Sequence, residues 1–143
     1  MNNSMKVICS ALLCLLALQP AQAKSRKVVQ KSVYMMGVGI SLVDSAVFIT
    51  DVHQVDSVTI EKKTNFLKDR QLYSFQIQRY LEAVYKGGPY VPCVFFNMSK
   101  KRMERQYLSL YKRYVQSKDF KMILVDISQF RFKPEKYIGE ELE

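Results

Sequence analysis

Tryptophan is absent from these 143 residues, histidine occurs once and cysteine three times. Each shortage closes off chemistry. Transition-metal sites draw on several imidazoles and thiolates. A single His53 leaves only carboxylates such as Asp44 or Glu61 to complete one. No metal and no cofactor are therefore expected. Neither a G-x-S-x-G elbow nor a G-x-x-x-x-G-K phosphate loop occurs, and the short "GVG" at 37–39 is too little for a nucleotide fingerprint. No apolar run reaches the ~20 residues that a membrane-spanning helix needs.

The longest apolar run is "VICSALLCLLAL", Val7 to Leu18, preceded by Lys6 and followed by Pro20 and by Ala21-Gln22-Ala23. A basic start, a short apolar stretch and a small-x-small site are the marks of a cleaved secretory signal. A lipid anchor at Cys14 is disfavoured because Leu13 precedes it, where a small side chain is required. Residues 1–23 are thus expected to leave, and the chain to act in the periplasm or outside the cell. Cys9 and Cys14 leave with them, so only Cys93 remains and no internal disulfide can form. What stays, residues 24–143, carries a charge of +8 once Lys6 is gone from the full chain's +9. That length suits one domain with a core of its own.

Residues 24–31 read as a basic leader, 32–134 as the domain and 135–143 as an acidic tail. "SVYMMGVGIS" (32–41) and "AVFITDV" (46–52) are short and rich in strand formers, and the Asp-Ser turn between them predicts an antiparallel hairpin. "QVDSVTIEKK" (54–63) is ambiguous between strand and loop, since neither alternating set is cleanly apolar. Tyr73, Ile77, Tyr80, Leu81 and Val84 recur at helical spacing after a candidate cap at Asp69, and "KGGP" closes the helix. "VPCVFFNM" (91–98) reads as a well-covered strand. Ser99 then caps a second helix whose Met103, Tyr107, Leu110, Tyr111 and Tyr114 share one face. "KMILVDI" (121–127) is the last strand. The order ββαβαβ predicts an α+β domain in two layers: a mixed sheet of about four strands, its last two joined by a parallel crossover, with both helices largely on one face.

Three constellations carry the functional question. Asp51 and His53, two apart on a strand, are expected to share a face. With Asp44 they are the weak candidates for a catalytic site, against the plainer reading of a polar strand end. Cys93 and His53 would make a nucleophile pair only if the thiol were exposed beside its base; inside "VPCVFF" it reads as a small hydrophobe. Lys100, Lys101, Arg102, Arg105, Lys112 and Arg113 line the second helix, and cations in its first turn oppose the helix dipole. They are the candidate surface for an anionic polymer or an envelope protein, against the default of a solvated face. Nucleic acid is not an expected partner for an exported chain. The nine tyrosines fall largely on the helix stripes, which places them in the core before a binding surface.

"VYMMGV" (33–38), "DSAVFITDV" (44–52), "KKTNFLKDR" (62–70) and "YSFQI" (73–77) together resemble an uncharacterised family of small exported proteins of gut Bacteroidetes. The resemblance spans most of the chain after the signal. It implies export and supplies no activity or site residues. The leading expectation is a non-enzymatic envelope domain that binds a protein or an anionic polymer. The other is a small hydrolase or nuclease-like enzyme using Asp51 and His53.

Overall fold

One long strand organises the chain. The computed structural model describes residues 27–136, so the signal segment and most of the acidic tail lie outside the described residues. Strand β1 runs from Val28 to Ser41, long enough at about 3.3 Å per residue to carry different neighbours along its length. β2 (Ala46–Thr50) returns antiparallel beside its second half, and β3 (His53–Glu61) continues beside its first half. β4 (Tyr90–Asn97) pairs antiparallel along the opposite edge. β5 (Lys121–Val125) pairs parallel with β2. Helix α1 (Arg70–Val84) precedes β4, and α2 (Lys100–Gln116) joins β4 to β5. Since β4 and β2 both oppose β1, β4 and β5 run the same way, as the crossover predicts.

The α+β class, the mixed sheet and the two helices are observed, with two corrections of detail. The strands number five, because the ambiguous segment 54–63 is mostly strand. The helices lie on opposite faces of the sheet, giving three layers. β1 is the reason. Its side chains alternate, and both sets are apolar. Val33 and Met35 join Tyr73, Ile77 and Leu81 of α1 in the larger core cluster. Val38 joins Val47 and Ile49 on the other face, under Tyr107, Leu110 and Tyr114 of α2. A strand that is apolar on both faces cannot leave either in water, so each face takes a helix.

Smaller differences follow from packing. β1 begins at Val28, within the segment read as a leader, and Val28 and Val29 pair with Glu61 and Ile60. α1 buries Tyr73, Ile77 and Leu81, but Val84 is 55% exposed, so its stripe ends one turn early. Asp69 holds the cap position without a side-chain bond; its carbonyl instead accepts from the Leu72 amide at 2.8 Å. β4 is an edge strand, leaving Val91 and Cys93 exposed. Its outer edge is blunted at two points. Even-numbered residues at this end of β1 turn their amides toward β4, as Leu42 does to the Pro89 carbonyl, so Pro92 and Val94 face outward. Pro92 offers no donor there, and the Arg70 guanidinium takes the Val94 carbonyl while lying 5.8 Å over the Phe96 ring.

After β5 the chain forms no strand, yet residues 126–135 cross the α1 face and insert Phe130 and Phe132 into the core. We call this segment the strap. Gly37 makes room for it, since a Cβ there would stand 3.0 Å from the Phe132 ring. Gly39 is tighter still: a Cβ would fall 2.1 Å from Leu81 Cδ1, in a core with Leu81 fully buried. Gly39→Ala should therefore lower the urea midpoint by overpacking, at a cost of about 1–3 kcal/mol. Leu81→Ala alone should cost about 2–5 kcal/mol. The double variant should lose less than the two losses together, because the new methyl fills part of the space that Leu81 vacates; strict additivity would contradict this packing.

Candidate functional site

The single histidine lies at a fault in the hairpin. Val38 of β1 pairs with Ile49, and Met35, three residues earlier, pairs with His53, four residues later. One extra residue therefore lies on the returning side, and Asp51 and Val52 belong to neither strand. The bulge reverses the alternation. Asp51 turns toward the α2 face, whereas His53 turns toward the α1 face, where its ring stacks on Phe132 at 5.6 Å between centroids. The expectation that the two share a face is corrected: alternation holds within an unbroken strand, and this one is broken between them.

The polar groups at the fault are all engaged with backbone. Thr50 Oγ1 accepts from the Gly37 amide at 2.8 Å. Asp51 donates its amide to the Val125 carbonyl at 3.1 Å, and its carboxylate accepts from the Ile127 amide at 3.0 Å. His53 Nε2 accepts from the Phe132 amide at 2.9 Å, which leaves Nδ1 as the donor to the Asp51 carbonyl at 3.3 Å. The imidazole is thus the neutral Nδ1–H tautomer, with neither nitrogen left for a proton transfer or a metal. Burial holds its pKa below the ordinary value, the carbonyl and the charge of Asp51 oppose this, and the Arg131 charge adds to it. Further along the strap, Gln76 bonds both the amide and the carbonyl of Lys133 at 2.9 Å, and the Tyr73 hydroxyl accepts from the Glu135 amide at 3.1 Å. Side chains of the sheet and of α1 so replace the ladder that the strap lacks.

Asp44, the third acidic candidate, lies in the hairpin turn, where its carboxylate accepts from the Ala46 amide at 3.2 Å. It does not meet His53. Cys93 pairs with Val38 and so faces α2, across the sheet from His53, which rules out a thiol–imidazole pair. The thiol is exposed on the edge strand, contrary to the reading of a covered hydrophobe. Among the described residues no three His, Cys, Asp or Glu side chains gather as metal ligands would.

The basic helix keeps its place. Ser99 accepts from the Arg102 amide at 3.5 Å as the cap, and Met103 is buried. Lys100, Lys101, Arg102, Arg105, Lys112 and Arg113 are all exposed. At 100° per residue, Lys101, Arg105 and Lys112 fall within about 40° of one another, opposite the face that packs on the sheet. They form a line along the crest, with Arg102 and Arg113 to one side. Lys100 pairs with Glu104 at 3.8 Å; among the described residues no carboxylate reaches the other five. The exposed Leu42 and Val43 at the hairpin tip were not anticipated. Their signal was present, as two adjacent aliphatic residues in a turn whose other members are Asp and Ser.

The displaced His53 pKa makes stability depend on pH. The unfolded chain gains a proton below about 6.5, whereas the folded imidazole resists it because protonation removes the acceptor for Phe132. This contribution is complete above the unfolded value and lost as pH falls through it toward the lower folded value. Denaturation midpoints should therefore fall between about pH 7 and pH 5. His53→Gln, which can still accept from the Phe132 amide, should flatten that slope while lowering stability at neutral pH. An unchanged slope in the variant would place the titration elsewhere.

Compared with models of protein families, with curated proteins and with solved structures, the chain matches none, so its function must be read from its own residues.

Proposed function

We propose that this chain is an exported, non-enzymatic domain that binds an anionic polymer, or a protein presenting an acidic surface, in the cell envelope. The observation that supports the reading most is the line of Lys101, Arg105 and Lys112 on the crest of α2, exposed and without carboxylate partners among the described residues, with Arg102 and Arg113 beside it. Residues 101 and 112 stand about 16 Å apart along the helix axis. Over such a length several fixed anions of one polymer can be met at once, and each adds to attraction at low ionic strength. Three cations in the first turn, Lys100, Lys101 and Arg102, work against the helix dipole, which makes the cluster mildly costly to the helix.

The alternative of a hydrolase using Asp51 and His53 finds no favourable geometry, because the two side chains lie on opposite faces and hold backbone. The binding reading is tested by retention on a heparin column. Lys101→Glu, Arg105→Glu and Lys112→Glu together should move elution to markedly lower salt, while Lys27→Glu, Lys62→Glu and Lys63→Glu, exposed together at the start of β1 and the end of β3, change the net charge equally and should shift it less. Equal shifts would reduce the effect to net charge, and unchanged retention of the α2 variant would exclude the crest.

A further inference from the structure

We infer that the pole of the molecule bearing the hairpin tip docks on the surface of an anionic phospholipid bilayer. β1 ends there and β2, β4 and β5 begin there, as α1 and α2 finish. The three loops that meet at this pole are tied together. The Leu42 amide donates to the Pro89 carbonyl at 3.1 Å, the Lys121 amide to the Ser45 carbonyl at 3.1 Å, and the Ser41 hydroxyl to the Gly87 carbonyl. Loops so joined present a fixed surface.

That surface is apolar at its tips. Leu42 is 65% exposed and Val43 71%, and Phe120 in the α2–β5 loop is 39% exposed. Val84 and Val115, also more than half exposed, close the last turns of the two helices behind them. Single exposed hydrophobes are ordinary, but a gathering of them on one end marks an interaction site. Cations flank the tips: Lys86, Lys118 and Lys121, with Arg113 in the last turn of α2, against Asp44 (which faces Lys121), Asp119 and Glu82 in the last turn of α1. The Asp44 carboxylate is folded back onto the Ala46 amide. Protruding aliphatic tips with basic shoulders fit a bilayer better than a folded partner. The tips enter the boundary between headgroups and acyl chains, and each lysine meets lipid phosphate. Arg113 apart, this pole is carried by other residues than the α2 cluster, so the two can fail separately.

The lack of tryptophan makes the test free of background. The protein recovered from the periplasm of an expression host carries Val43→Trp at the tip, or Phe66→Trp at the opposite pole, where Phe66 is 51% exposed. Each is mixed with vesicles of phosphatidylcholine alone or of phosphatidylcholine with phosphatidylglycerol. With the anionic vesicles the Val43→Trp emission should shift to the blue and be quenched by brominated acyl chains, whereas the Phe66→Trp emission should not move. Leu42→Ser with Val43→Ser should weaken co-sedimentation about tenfold, and its near-native circular dichroism is checked alongside; Phe120→Trp is a second reporter that leaves the hairpin intact. An unshifted tip tryptophan, sedimentation unaffected by the serine pair, or no sedimentation at all would overturn the inference. Vesicle binding that persists with an unshifted tip and is lost on charge reversal of the α2 crest would overturn it while supporting the crest as the anion site.

Discussion

A single extra residue between β2 and β3 sets the demands that the rest of this fold meets. The bulge breaks the ladder to β1 at Gly37, and a buried amide without a partner costs of the order of 1–3 kcal/mol. Thr50 supplies that partner at once. The same break turns Asp51 to one face and His53 to the other, each at the rim where the chain leaving β5 must pass. One carboxylate and one neutral imidazole then fix the amides of Ile127 and Phe132. With those amides fixed, Phe130 and Phe132 are delivered onto α1, and the core of that face is closed. The histidine has to remain uncharged for this, because only its unprotonated Nε2 can accept.

The strap shows how a segment outside the sheet can be as well anchored as a strand. Its backbone is met by Asp51, His53, Tyr73 and Gln76, residues separated in sequence from it by at least 57 positions. Such side-chain to backbone bonds need each donor and acceptor to be placed by its own element first. The strap therefore depends on a sheet and helix already formed. Its aromatic residues return the favour by covering His53 and Tyr73, which lie 5.6 and 6.3 Å from the Phe132 ring. Polar anchoring and aromatic burial are here one arrangement, in which weakening either exposes the other to water.

Much of this was legible in the sequence wherever one period held without interruption. α2 shows its cap at Ser99 and its packed stripe of Met103, Tyr107, Leu110 and Tyr114; the hairpin shows its turn. The failures share a cause. Period-2 reasoning assumes an unbroken strand, and β2–β3 is broken twice. The first break separates Asp51 from His53. The second lies at Ser57, whose positive φ marks an extra residue opposite Ser32, so that Val55 and Val58 both reach the same core. That slip is why "QVDSVTI" showed no clean face. The strap escaped notice for another reason. Phe130 and Phe132 alternate with charged residues like a strand, but the chain leaving β5 packs them into the core on the α1 face instead of adding to a sheet edge, and their partners lie far away in sequence. The placing of one helix on each face was implicit in β1, where neighbouring residues from Met35 to Val38 offer apolar surface to both sides.

Asp51 and His53 are engaged in holding the fold, and both proposals made above therefore rest on the surface. Two surfaces stand out, and their relative placement limits what can touch both. The crest of α2 looks away from the sheet, whereas the loop pole looks along the strands. They meet at the end of α2, where Arg113 and Val115 adjoin the loop that carries Lys118 and Phe120. A flat bilayer seated on the pole would reach Lys112 and Arg113, but Lys101 and Arg105, a further two to three turns back, would be lifted from it. An extended polyanion has no such limit and can follow the crest from Lys101 to Lys112. On the two proposals above, geometry separates two kinds of contact: the pole would meet a surface, and the far half of the crest a chain.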